Sequence, residues 1–141
     1  MESFWSKHPE AWEAATRNRE VVGVAMRKYD KWVRSLPGTP IFVGYPVTFD
    51  FAFVHWYFIK FLGCDPFGFA GLDIKSYAMA VLGWNFTRTA KRNMPKHWFD
   101  PLQHTHIALD DAKAQGTLFC NILAQDKRRR SQTGLYSKHC A

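Results

Sequence analysis

The sequence predicts an α/β domain in which helices dominate and one short strand stands out. Three observations lead there. Apolar residues recur at three- and four-residue spacing in several segments, as one face of a helix requires. A β-rich pentapeptide, Ile41 to Tyr45, stands between turn residues. The 141 residues are 47% hydrophobic and 16% aromatic, enough for one domain with a packed core and too apolar for a disordered chain.

Pro9 to Arg19 reads as a short helix, because proline is tolerated in a first turn and alanines follow. Val21 to Leu36 reads as a second, with Val22, Ala25, Met26, Tyr29, Trp32, Val33 and Leu36 on its apolar face. Pro37-Gly38-Thr39-Pro40 breaks it. Ile41 to Tyr45 is then a buried strand, ended by Pro46, which lacks a ladder N–H. Thr48 is the expected N-cap of the next helix, with Asp50 in its first turn and Gly63 as its C-cap. A short second strand is expected near Phe69 to Leu72, and a helix from Ile74 to Leu82 ends at Gly83. Trp84 to Thr105 has no clean period and reads as a long ordered loop. The last helix is expected from about Ala108 to Leu123, followed by a disordered tail from Gln125. A lone buried strand leaves its backbone groups unpaired, so the strand needs partners from another chain or from a larger sheet.

The net charge of +7 and a pI near 9.5 favour an anionic partner. Cys64, Cys120 and Cys140 form an odd, scattered set without Cys-x-x-Cys spacing, which argues against a disulfide framework and for a reducing, cytoplasmic setting. Glu2, Lys7 and Glu10 leave no room for the apolar core of a signal peptide. His55 and Lys60 interrupt the richest apolar stretch, Phe51 to Leu62, which is also too short to span a bilayer. A soluble protein is expected.

Candidate chemistry gathers at Thr105-His106-Ile107-Ala108-Leu109-Asp110-Asp111. Helical phase places Ala108, Ala112, Phe119, Ile122 and Leu123 on one face, with Asp111 at its edge and Asp110 turned towards solvent. A carboxylate at such an edge carries a desolvation cost that a metal or strong hydrogen bonds offset. The plainer reading of Asp111 is a first-turn carboxylate favoured by the helix dipole. His106, five residues earlier, lets one loop–helix junction present a base and a carboxylate together, the pair that phosphodiester hydrolysis needs. Zinc on His97 and His104 is disfavoured, since no Cys or Glu stands at ligand spacing.

Three ordered segments carry a resemblance: Val43-Gly44-Tyr45-Pro46 to Phe49-Asp50-Phe51-Ala52-Phe53, then Leu72-Asp73-Ile74-Lys75-Ser76-Tyr77-Ala78-Met79, then His104-Thr105-His106 to Gln115-Gly116. From about Trp5 to Leu123 the chain resembles the C-terminal two-thirds of a DEDDh 3′–5′ exonuclease domain, of the ribonuclease H-like superfamily. The resemblance implies a ribonuclease H-like fold, N-terminally incomplete here. It also implies a two-metal-ion nuclease acting on the 3′ end of single-stranded nucleic acid. Carried over, Asp50 is the second-motif metal ligand, His106 the general base and Asp111 the third-motif metal ligand, around Mg²⁺ or Mn²⁺.

The first motif, Asp-x-Glu on an opening strand, has no counterpart among Glu2, Glu10, Glu13, Glu20 and Asp30. Half of the implied carboxylates are therefore missing from the sequence. The domain is expected over residues 1–124, with a basic polar tail over 125–141. Arg88, Lys91, Arg92 and Lys96 are expected to meet phosphates. The competing function is a non-catalytic nucleic-acid-binding member of the same fold, and the family's dimers make a homodimer an open expectation.

Overall fold

The computed structural model describes residues 4–99 and 105–132. His104 and the final residues 133–141 lie outside them, as do Glu2 and Cys140. The chain divides into two compact units, Met1–Ile74 and Lys75–Ala141.

The first unit opens with two helices, α1 (Phe4–Lys7) and α2 (Pro9–Thr16), the latter with proline in its first turn. Helix α3 (Val22–Ser35) follows, then strand β1 (Phe42–Gly44), helix α4 (Val47–Leu62) and strand β2 (Gly71–Asp73). The strands are parallel, pairing Phe42 with Gly71, Val43 with Leu72 and Gly44 with Asp73. A parallel pair requires a crossover, and α4 is that crossover, making a βαβ unit. The lone strand of the sequence reading thus finds a partner inside the chain. The second strand begins two residues later than expected, leaving Phe69 in the preceding turn at 94% exposure.

Helix α3 lies on α4. Between helices and strands sits an aromatic cluster in which Phe58 meets Tyr29 and Phe67, and Phe42 meets Phe67 and Phe51. Phe58 and Ile74 are fully buried in this unit, and Ala11, Val33 and Val47 are nearly so. The apolar face read for the second helix is only partly used, since Val22, Trp32 and Leu36 stay exposed.

Two glycines let the βαβ layers close. A Cβ on Gly44 would stand 3.1 Å from the Val47 Cα, and one on Gly71 would stand 2.6 Å from Val47 Cγ2. Gly63 ends α4 in the left-handed conformation, φ 72°, as expected of a glycine cap. The start of α4 differs from expectation. The helix begins one residue before Thr48, its N-cap position is Pro46 (after a cis Tyr45–Pro46 bond), and no side chain from that position caps it. Asp73 at the end of β2 takes that role, its Oδ2 accepting the Val47 N–H at 3.0 Å.

The second unit holds most of α5 (Ile74–Leu82), 3₁₀ turns at Lys91–Asn93 and Lys96–Trp98, and the 25-residue α6 (Ala108–Gln132). Its core is Ala78, Val81, Met94, Trp98, Leu118 and Ile122. The aperiodic stretch after Leu82 is ordered by side-chain bonds to backbone. Asn85 Oδ1 accepts the Arg88 N–H, Thr89 Oγ1 donates to Asn85 O, and Asn93 Nδ2 donates to Arg88 O, each at 2.8 Å.

Helix α6 overruns its expected end at Leu123 by nine residues, so residues 125–132 are helical rather than a disordered tail. Tertiary bonds hold them. Gln125 Oε1 accepts from Trp98 Nε1 at 2.8 Å, and the buried Asp126 accepts from Tyr77 OH at 2.8 Å and pairs with Arg130 at 2.9 Å. Arg129 Nη1 donates to Val81 O at 2.6 Å. Cations in a last turn also complement the helix dipole. Among the described residues, Cys64 and Cys120 are free, and no helix is long and apolar enough to cross a membrane.

Candidate active site

In the first unit the site begins where two parallel strands end. Gly44 and Asp73 are register partners at the carboxyl end of the sheet. Asp50 stands over the same end, its Oδ2 3.7 Å from where a Gly44 Cβ would lie. Ligand sites of open α/β sheets gather at strand carboxyl ends, so the expected position of Asp50 beyond β1 is met. Asp50 is half-buried, and burial pushes its carboxyl above the ordinary aspartate value. A bound cation would offset that desolvation. Asp73 shares the sheet end, but one of its oxygens serves the first turn of α4. The sequence signal for it was an acid at the close of an apolar run, Leu72-Asp73-Ile74.

In the second unit a separate group of candidate residues lies at the junction entering α6. His106 is half-buried and takes the left-handed backbone conformation, φ 58°, which a non-glycine residue adopts at a cost of about 1–2 kcal/mol. Such a conformer persists where neighbours over-determine it, and such conformers cluster at functional sites. Thr105 supplies part of that determination. Its Oγ1 accepts the Ile107 N–H at 3.2 Å and donates to Asp110 Oδ2 at 2.8 Å, bracketing His106.

Asp110 therefore differs from the solvated charge that helical phase assigned. It is half-buried, like Asp111, and it anchors the turn that carries His106. Asp111 follows with its Oδ1 shielded from solvent. His106 and Asp111 both lie at this junction in the second unit, five residues apart in sequence, and Asp50 belongs to the first unit.

The four expected phosphate-binding residues, Arg88, Lys91, Arg92 and Lys96, are all exposed in the second unit. The Arg88 guanidinium lies 4.2 Å from the centre of the Trp84 ring, and Lys75 Nζ lies 3.6 Å from that of Phe86. His97 Nε2 is engaged with Gln125 Oε1 at 3.0 Å. Among the described residues, no three His, Cys, Asp or Glu side chains gather closely enough to hold a metal ion.

One polar pair escaped the sequence reading. His55 Nδ1 lies 2.6 Å from Oδ2 of Asp65, whose side chain is 2% exposed and whose other oxygen accepts the Phe67 N–H at 2.8 Å. The pair pins the turn after α4 to the helix. Burial, and then the Asp65 charge, raise the Tyr29 hydroxyl above its ordinary value. In the sequence His55 only interrupted an apolar run, since its partner lies ten residues away across a turn.

The chain is similar to the 3′-5′ DNA exonuclease Cap18 of Escherichia coli, with 38% identity over 103 residues that make up 67% of this chain and 52% of that protein. It spans about half the length of this curated relative. No protein-family model matches the chain.

Proposed function

We propose that this chain belongs to a metal-dependent 3′–5′ exonuclease of the DEDDh type, with a ribonuclease H-like fold, that hydrolyses phosphodiester bonds at the 3′ end of single-stranded nucleic acid. The observation that carries the reading is the similarity to a 3′-5′ DNA exonuclease across both units. The parallel βαβ element that places Asp50 at a strand carboxyl end is consistent with it. In the two-ion chemistry that the resemblance implies, Asp50 would support one divalent cation and Asp111 would help to hold the other. Both are partly desolvated oxygen donors, which suit Mg²⁺ or Mn²⁺ in kind though two fall short of a full ligand set. The bound cation would neutralise charge on the phosphate and ease ionisation of water.

The remaining work falls to the protein's own groups. His106 takes the proton of the attacking water as its oxygen bonds to phosphorus. The bond to the 3′-oxygen breaks, that oxygen takes a proton from solvent, and a 5′-mononucleotide leaves. Asp110 and Thr105 are positioning residues, since they set the turn on which His106 sits. Arg88, Lys91, Arg92 and Lys96 bind the backbone phosphates.

The test compares labelled single-stranded DNA digestion, with Mg²⁺ or Mn²⁺, by the 141-residue chain and by a form extended upstream with a strand bearing Asp-x-Glu. Little activity is expected of the first and clear metal-dependent activity of the second. In the extended form, His106→Ala is expected to remove most turnover while leaving substrate binding largely intact. Asp50→Asn is expected to remove activity without lowering the unfolding temperature, because it neutralises a charge that burial disfavours. Robust cleavage that survives His106→Ala would place the chemistry elsewhere.

A second reading, a nucleic-acid-binding protein without catalysis, is favoured by the charge distribution. Residues 1–74 carry eight Lys and Arg against eight Asp and Glu, whereas 75–141 carry eleven against four, so the whole +7 lies in the second unit. Salt-dependent binding by the extended form with no metal-dependent cleavage would select it.

A further inference from the structure

The concentration of charge in the second unit has a defined geometry at the far end of α6. The turn Lys96–Trp98 is locked to that helix by three bonds: Trp98 Nε1 to Gln125 Oε1, His97 Nε2 to the same oxygen, and Asn121 Nδ2 to Trp98 O. Trp98 is fully buried, so this turn is a rigid mount, and Lys96 and His97 are exposed on it. Asn121, Gln125 and Arg128 follow one another at four- and three-residue spacing on one helix face, which carries the exposed Arg128 onward from the same turn. The nearby acid, Asp126, is buried and already paired with Arg130 and Tyr77. No other described acid lies between Asp111 and the end of the helix.

We propose that Lys96 and Arg128 form a backbone-phosphate clamp that sets a minimum length for the single strand entering the His106–Asp111 junction. The inference rests on the exonuclease reading for its second fixed point. At 1.5 Å per residue, Gln125 and Arg128 stand about 21–26 Å along α6 from Asp111. A stacked strand advances about 3.4 Å per nucleotide and covers that distance in roughly six to eight. A more extended strand needs fewer, so the step in affinity falls at about four to eight nucleotides, within the range of known single-strand sites. An oligonucleotide shorter than that reaches the junction without engaging the clamp.

The experiment measures binding of 5′-fluorescein oligothymidylates of three to twelve nucleotides to the 141-residue chain, in EDTA, by anisotropy. The expected result is a rise of at least tenfold in affinity across the four-to-eight window. In the double variant K96E/R128E the ratio between the ten-mer and three-mer affinities is expected to fall at least tenfold. The slope of log affinity against log salt is expected to weaken by about 1.4, two phosphates at 0.7 each for single strands. The variant K96Q/R128Q, less disruptive to folding, is expected to move both quantities in the same direction. Affinity that climbs smoothly with length, or a length profile identical in both variants, overturns the clamp. So does equal binding to anionic phosphatidylserine vesicles. Because the clamp is read from binding without a cation, a length step together with no metal-dependent cleavage by the upstream-extended form would defeat the exonuclease reading and not the clamp.

Discussion

Replacing Gly71 by alanine drives a methyl group into the closest approach of the βαβ unit. The added Cβ would lie 2.6 Å from Val47 Cγ2, 3.3 Å from Phe42 O and 3.7 Å from Phe51 Cδ1. Carbon atoms rest about 3.5–4.0 Å apart, so Val47 must yield by about 1 Å. It is poorly able to. Val47 is 8% exposed, its β-branched side chain has one strongly preferred rotamer in a helix, and its N–H is held by Asp73. Forcing one carbon into such a place costs about 1–3 kcal/mol. Each kcal/mol lowers Tm by about 2–8 °C across domains of 60–250 residues. The displacement falls on the first turn of α4, which also carries Asp50. Val47→Ala removes the offending methyl groups, so Gly71→Ala and Val47→Ala are expected to be less destabilising together than the sum of the two alone. Thermal and urea unfolding of the four proteins, followed by circular dichroism, measures the coupling, expected at about 1–2 kcal/mol. Additivity within about 0.5 kcal/mol would refute the close approach as the source of the cost.

Gly116 offers the opposite case, lying inside α6 with open space where a Cβ would stand, so Gly116→Ala is expected to stabilise the chain by about 0.5–1 kcal/mol in the same unfolding measurement. For Asp126, burial alone would raise the carboxyl, but the Tyr77 hydrogen bond, the Arg130 pair and the Arg129 charge outweigh it and hold the group below the ordinary value. A depressed folded value contributes stability above the unfolded value of about 3.9 and loses it as pH falls through the folded one. Asp126→Asn is therefore expected to cost about 1–3 kcal/mol at pH 7, with the difference from wild type narrowing below about pH 4. A difference that stays constant down to pH 2 would show that packing, not charge, ties the end of α6 to Tyr77.

Local chemistry alone placed much of this chain. The Ile74–Leu82 helix, the glycine cap at Gly63 and the carboxylate in the first turn after β1 follow from residue spacing, left-handed permissiveness and the helix dipole, all acting within a few residues. The His106–Asp111 junction is equally local, five residues on one turn of chain. The tertiary structure decided what depends on partners far along the sequence. Asp73 displaced Thr48 as the cap of α4 because it reaches Val47 across 26 residues. The basic run past Leu123 became helix because Trp98 and Tyr77 grip Gln125 and Asp126 from 27 and 49 residues away. Hydrophobic period reports only which side of an element is apolar. A polar residue that is ordered by a distant donor carries no period, so Asp65 beneath His55 and the α6 extension became visible only once the chain was folded.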